Sequence, residues 1–348
     1  MLWKRIGLED FEFPKVPNYN MDYIKFENKE KQVTIEETNE KQDKYFNINA
    51  NGLGKKFTLF ATESYNAGVS VFVPKNAKAQ ETIKLDFNMN NENPILIDKN
   101  LIVAEENSEL TIIMDYSSDK GIDSFHNGIT VVYAKENALV NIIKIQRMED
   151  NSPNFDSNIG FVEGNGKINW ISVEIGSSIS GASYCTFLEG EASEANLSSI
   201  YLGDGTRKMD LEYTMIHKGP RSISNIETKG VLKDKSKKVF RGNLDFKKGA
   251  RHSKGIEEEY VILLDPNVKS DSIPALLCEE DDVIGEHAAS AGQINENSLF
   301  YLMSRGLNQR EAKKLIVEAS FRPIIDKIPF KDLQLMVKTE VERRLMDE

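Results

Sequence analysis

The chain has 348 residues, 40% hydrophobic and 28% charged, which is enough apolar material for one large domain with an appendage and too much for a disordered chain. Forty-four Lys and Arg against 55 Asp and Glu leave a formal charge of -11, which repels phosphate backbones and gives no general basis for binding nucleic acid or an anionic membrane. Two cysteines, Cys185 and Cys278, exclude a disulfide scaffold and a closed zinc site of paired Cys-x-x-Cys motifs.

The N-terminal Met1-Leu-Trp-Lys-Arg-Ile leads into acidic residues rather than an apolar stretch, so it does not read as a secretory signal. Apolar runs such as residues 261–264 fall far short of the roughly 20 needed to span a bilayer. A cytoplasmic protein without a transmembrane helix is expected. Residues 1–50 are polar, with a Lys/Glu/Asn-rich run over 25–44, and read as a loosely packed leader.

From Phe57 short β-type segments alternate with turn chemistry, and some recur at a fixed offset. Ala104-Glu-Glu-Asn-Ser-Glu-Leu-Thr-Ile-Ile returns as Ala134-Lys-Glu-Asn-Ala-Leu-Val-Asn-Ile-Ile, which maps Asn107 onto Asn137 and Ile112 onto Ile142. Weaker copies begin at Val162 and Leu188. A single such unit cannot bury its own apolar face, whereas stacked units share a continuous core. The spacing therefore predicts a mainly β chain with a β-solenoid over residues 51–292, including strands over 209–217, 223–232, 239–246 and 260–264. An antiparallel sandwich is the competing reading.

At Gln293 the character changes, and residues 293–348 read as a helical domain. Asn295 and Gly306 bracket a first helix, and Asn308 with Glu311 forms a capping arrangement for a second, with Leu315, Ile316 and Ala319 on one face. Pro323 and Pro329 interrupt. A last helix from about Lys331 places Leu333, Val337, Val341 and Leu345 in one stripe.

Of the four histidines, His126, His217, His252 and His287, none stands in a zincin spacing, and there is no P-loop and no Gly-x-Ser-x-Gly elbow. No enzymatic activity is expected. The densest set of potential metal ligands is Cys278-Glu-Glu-Asp-Asp-Val-Ile-Gly-Glu286-His287, where thiolate suits iron–sulfur species while imidazole and carboxylate suit ferrous iron. A buried structural cysteine in a solvated acidic turn is the plainer alternative. The basic run over 233–254 reads as a solvated face of the solenoid, its cations alternating with apolar residues.

Four blocks carry a resemblance: His217-Lys-Gly-Pro-Arg-Ser-Ile-Ser, Lys229-Gly-Val-Leu-Lys-Asp-Lys-Ser-Lys-Lys-Val-Phe-Arg-Gly, Gly285-Glu-His-Ala-Ala-Ser-Ala-Gly-Gln-Ile and Leu299-Phe-Tyr-Leu-Met-Ser-Arg-Gly-Leu. From His217 to the Leu315 region the chain resembles the SufB/SufD core family of the SUF iron–sulfur cluster assembly machinery. The resemblance implies a right-handed parallel β-helix with a C-terminal α-helical domain. It also implies a non-ATPase scaffold that pairs with a SufB-like chain or a second copy of itself and docks a SufC-type ABC ATPase on its C-terminal helices. Any iron or iron–sulfur cluster would be a transient passenger, with His287, Cys278 and Glu286 as its candidate ligands at the paired interface. His287 matches a histidine of SufD-type members, whereas Glu259 stands where SufB-type members carry an essential scaffold cysteine, so a SufD-like role is expected. Cys278 falls where some SufB members have another cysteine, which keeps a homodimeric SufB-like scaffold as an alternative. The long N-terminal helical region usual in SufD is not recognisable here, which leaves open a minimal system of one core protein and one ATPase. A β-solenoid carbohydrate-active enzyme is a third reading, with no motif to support it.

Overall fold

The computed structural model describes residues 6–7, 11–48, 50 and 52–346. From Val69–Val73 to Lys269–Ser272 consecutive strands alternate between two sheets, as a solenoid requires. The first sheet stacks Ile24–Glu27, Ile83–Met89, Glu109–Ser118, Leu139–Arg147, Lys167–Glu174, Glu194–Gly203, Ile223–Leu232, Ser253–Leu263 and Val283–Gln293. The second stacks Thr34–Glu37, Val69–Val73, Ile95–Ala104, Phe125–Ala134, Pro153–Val162, Ile179–Leu188, Lys208–His217 and Lys237–Phe246, and ends on two short strands, Lys269–Ser272 and Ala275–Cys278. Pairing within the stack is parallel, so the sandwich reading is excluded.

The register explains the sequence repeat. Ile112 pairs with Ile142 and Ile113 with Ile143. Asn76, Asn107, Asn137 and Asn165 occupy equivalent corners with φ between 52° and 62°, a left-handed conformation that asparagine tolerates better than most residues. Each corner N–H donates to a carbonyl of the next corner, as from Asn107 to Glu136 and from Asn137 to Gly164, both at 2.9 Å. The Asn137 and Asn107 side-chain amides each donate to the preceding asparagine at 3.0 Å. At the Leu188 copy the turn carries an extra residue: Ala192 takes the left-handed corner, yet Asn196 still stacks on Asn169.

The lumen is apolar for most of its length but holds buried charge at intervals. His126 Nε2 lies 2.8 Å from Asp98 Oδ1, and Lys144 Nζ donates to Asp156 at 2.9 Å and to Asn158 at 2.8 Å. Glu174, fully buried, accepts from Ser180 at 2.9 Å and from Ser172 at 3.3 Å, and burial pushes its carboxyl up to about 7. Between its ordinary value and about pH 7 the folded chain thus holds a proton that the unfolded chain has released. Stability contributed by this group falls as pH rises through that window and is flat above it. Glu174→Gln is accordingly expected to gain about 2–3 kcal/mol over the natural chain on going from pH 5 to pH 8, measured by urea unfolding at both pH values. An equal response of both proteins to pH would refute this.

The outer faces are covered differently. Two helices, α1 (Lys55–Glu63) and α2 (Glu296–Ser304), precede α3 (Gln309–Ile325) and α4 (Lys331–Met346), and on the first sheet Ile113, Ile143, Ile145, Val173, Ile200 and Val231 form one cluster with α3 and α4. The α4 stripe of Leu333, Val337, Val341 and Leu345 is buried there as expected. In α3 the expected face is corrected: Ala312, Val317, Phe321 and Ile324 are buried, while Leu315 and Ala319 are exposed. Pro323 lies inside α3 rather than ending it, near enough to the C-terminus that only local bonding is lost. Both the Asn295 cap and the Asn308–Glu311 capping box are formed.

The leader is also corrected. Ile24–Glu27 and Thr34–Glu37 pair antiparallel with Ile83–Met89 and Val69–Val73, closing the N-terminal edge of each sheet with charged, short strands. Phe11 and Phe13 pack with Phe57 of α1 and with Phe125 over the second sheet, ring centroids 5.1–6.4 Å apart. Its polar composition conceals these few aromatic anchors.

Candidate functional site

At the opposite end of the solenoid the described residues form no such cap. Among the described residues Val283–Gln293 pairs only with Ser253–Leu263, and the two short strands pair only with Lys237–Phe246, so both sheets end on edges that no described strand covers. Around this open end Ile256, Tyr260, Leu277 and Ile284 are exposed. Large exposed apolar groups beside free strand edges are what soluble chains avoid unless another surface covers them.

Side chains alternate along a strand, and stacked partners share a face. Ser253, Gly255, Glu257, Glu259 and Val261 are buried toward the lumen, whereas Lys254, Ile256, Glu258 and Tyr260 are exposed on the outside. His287 is in register with Glu257 and therefore stands on the lumen side, while Glu286 is in register with Ile256 and stands outside. Cys278 is in register with Phe246, whose ring fills the lumen, and it is exposed at the end of the stack. The structure therefore separates the three expected ligands: Cys278 and His287 share the lumen side of the open end and Glu286 leaves it. Among the described residues no three His, Cys, Asp or Glu side chains converge as a metal site.

Directly beneath lies a buried charged group that the basic run disguises. Lys238, expected on a solvated face, is fully buried, and its Nζ donates to Glu259 Oε1 at 2.6 Å and to Ser272 Oγ at 3.1 Å. Tyr201 donates its hydroxyl proton to the same carboxylate at 2.8 Å. Burial lowers the Lys238 pKa despite the attraction of Glu259. Glu257 has both carboxylate oxygens buried without a hydrogen-bond partner among the described residues, and burial followed by repulsion from Glu259 pushes its pKa up to about 7. The alternation of residues 253–261 was the available signal for this pair of inward glutamates; the charge run alone pointed the other way.

The other histidines are structural. His217, at the end of its strand, bonds Ser222 and Ser224 at 2.7 and 2.8 Å and stacks on Phe246, and desolvation lowers its pKa to about 4. His252 occupies a corner beside Asp282. Cys185 belongs to the cluster over the second sheet, where burial pushes its thiol up to about 12, so it is no nucleophile near neutral pH.

A second exposed surface is α2, which buries no residue and presents Phe300, Tyr301 and Met303. By contrast α4 is clamped to the solenoid: Arg344 donates to Asp150 at 2.8 Å and to Asp204 at 3.1 Å, beside Arg207, which binds the same two carboxylates. Lys327, after α3, reaches Ser198 at 2.8 Å and Glu227 at 3.0 Å. No described helix is long and apolar enough to cross a membrane.

Fold and surfaces together define a parallel β-solenoid of about eight turns, capped at one end, open at the other, with helices at its C-terminus. Residues 87–320 match the model of the SufBD core domain of the SUF iron–sulfur cluster assembly system, and the chain belongs to that family. Its relatives include the Iron-sulfur cluster assembly SufBD family proteins of Staphylococcus saprophyticus, Staphylococcus epidermidis and Staphylococcus aureus. Each is 27% identical over 318 residues, which span 90% of this chain and 68% of the relative.

Proposed function

We propose that the chain is a non-enzymatic, SufD-like subunit of the iron–sulfur assembly machinery. It pairs through the open end of its solenoid with a SufB-like chain and carries a SufC-type ABC ATPase on its C-terminal helices. The uncapped end is the observation that carries this reading: two free strand edges ringed by Ile256, Tyr260, Leu277 and Ile284 suit continuation of both sheets into another chain. Exposed Phe300, Tyr301 and Met303 of α2 suit an ATPase contact that leaves the clamped α3 and α4 undisturbed. Glu259 supports the SufD-like role, since a carboxylate held by Lys238 and Tyr201 fills the place of the expected scaffold thiol. Iron or a nascent cluster is cargo in this scheme, handed on rather than kept. The alternative, a homodimeric SufB-like scaffold, draws on exposed Cys278 at the same open end.

Anaerobic co-purification of the tagged chain, with its companions identified and weighed, tests the proposal. An ABC ATPase together with a SufB-like chain is the expected result; an ATPase with no second core protein would favour the homodimeric scaffold. Absence of any ATPase would overturn the docking role. Phe300→Glu with Tyr301→Glu is expected to lower ATPase recovery at least 10-fold while retaining the paired chain.

A further inference from the structure

In the last buried coil one lysine faces two carboxylates. The Lys238 ammonium donates to Glu259 at 2.6 Å, to the Asp271 carbonyl at 3.3 Å and to Ser272 at 3.1 Å, which uses its three protons. Glu257, on the same lumen face as Glu259, is left over: it is 1% exposed, and neither of its oxygens receives a hydrogen bond among the described residues. The His287 ring stands one coil above and donates to neither oxygen. Gly242 of the facing strand leaves room for the side chain, because a Cβ there would come within 2.5 Å of the Glu257 carboxyl carbon. A buried carboxylate without donors is costly until a proton or a cation compensates it. The way to this group is through the open end. Gly285, Ala289 and Ala291 form the lumen side of the last strand, in register with Gly255, Glu259 and Val261, and both alanines are exposed. Side chains this small leave the lumen of the last coil unfilled. A strand added to the stack lies two coil spacings, about 9.6 Å, above Glu257, a gap that suits the long arm of lysine or arginine. The rim carries the same sign as Glu257, with Glu279, Asp281, Asp282 and Glu286 exposed around it.

We propose that Glu257 is the docking point for a basic side chain, lysine or arginine, which the covering chain inserts into the open lumen, and that this contact selects a partner of different sequence over a second copy. A second copy meeting this end about a twofold axis brings its own Glu257 and acidic rim to the same surface. Like charges then oppose one another, which costs affinity and rejects the wrong partner, whereas a chain with a basic residue at that place completes the buried pair. The inference rests on the reading that the open end is the pairing surface; it adds the charge of the partner and the rejection of self-pairing.

The test combines sedimentation of the isolated full-length chain with recovery of its paired chain in the anaerobic co-purification. Alone, the natural chain is expected to sediment as a monomer. Glu257→Gln should lower recovery of the paired chain at least 10-fold and leave recovery of the ATPase unchanged. This variant removes an uncompensated buried charge, so a thermal unfolding midpoint at or above that of the natural chain verifies that it folds. Unchanged recovery of the paired chain with Glu257→Gln would overturn the proposal, as would a dimer of the natural chain alone that Leu277→Asp with Ile284→Asp dissolves. Pairing lost in the Leu277→Asp, Ile284→Asp variant but kept in Glu257→Gln would sink this inference and leave the pairing surface standing. Pairing indifferent to both variants would remove the open end as the interface and overturn the two readings together.

Discussion

Lys238→Met is expected to destabilise the protein by about 3–5 kcal/mol, the usual consequence of stranding one member of a buried ion pair. The substituent keeps most of the lysine's volume, so the effect is electrostatic: Glu259 retains its bonds from Tyr201 and Ser272 but loses the ammonium 2.6 Å away, with Glu257 close by on the same strand. Adding Glu259→Gln to Lys238→Met removes the stranded charge and should restore most of the loss, because the amide can still accept from Tyr201. Urea unfolding of the two single variants and the double variant at pH 7 measures both quantities. A near-zero effect of Lys238→Met would mean that Glu259 is already neutral and that Lys238 is dispensable to the lumen.

The second large effect concerns pairing. Leu277→Asp combined with Ile284→Asp is expected to weaken association at the open end at least 100-fold, about 3 kcal/mol, since two charges would have to be desolvated in the centre of an apolar contact. Both side chains are exposed in the single chain, so its own stability should be nearly unchanged. Light scattering after size exclusion, together with recovery of the paired chain from the co-purification, reads the result. Intact pairing in a folded double variant would remove the open end as the interface and with it the geometric basis of the proposed function.

The repeat was legible because a solenoid imposes the same local demand on every coil. Each corner needs a left-handed residue and each strand needs inward apolar side chains, so Asn107 and Asn137 recur with Ile112 and Ile142, and register follows from sequence offset. The α4 stripe was legible for the same reason, one face repeating along one helix. Where an element's partner is distant in the chain, local pattern gave no guidance. The buried face of α3 is not legible locally, because the surfaces that bury Phe321 and Ile324 belong to strands far back in the solenoid. The leader read as loose because its anchors, Phe11 and Phe13, are few, and their partner Phe125 lies in the solenoid itself.

The candidate site divides along the same line. Sequence alone determined the family, the corner chemistry, and the proximity in the chain of Cys278, Glu286 and His287. Only the tertiary structure decided which of these share a face. Adjacent residues on a strand point apart, so Glu286 and His287 separate, while Glu257, thirty residues earlier, comes to lie one coil beneath His287. Lys238 likewise became a lumen residue because Glu259 stands across from it. Burial of a charge is stable only where its counter-charge arrives from another coil, and that meeting is a property of the stacked fold rather than of any one segment.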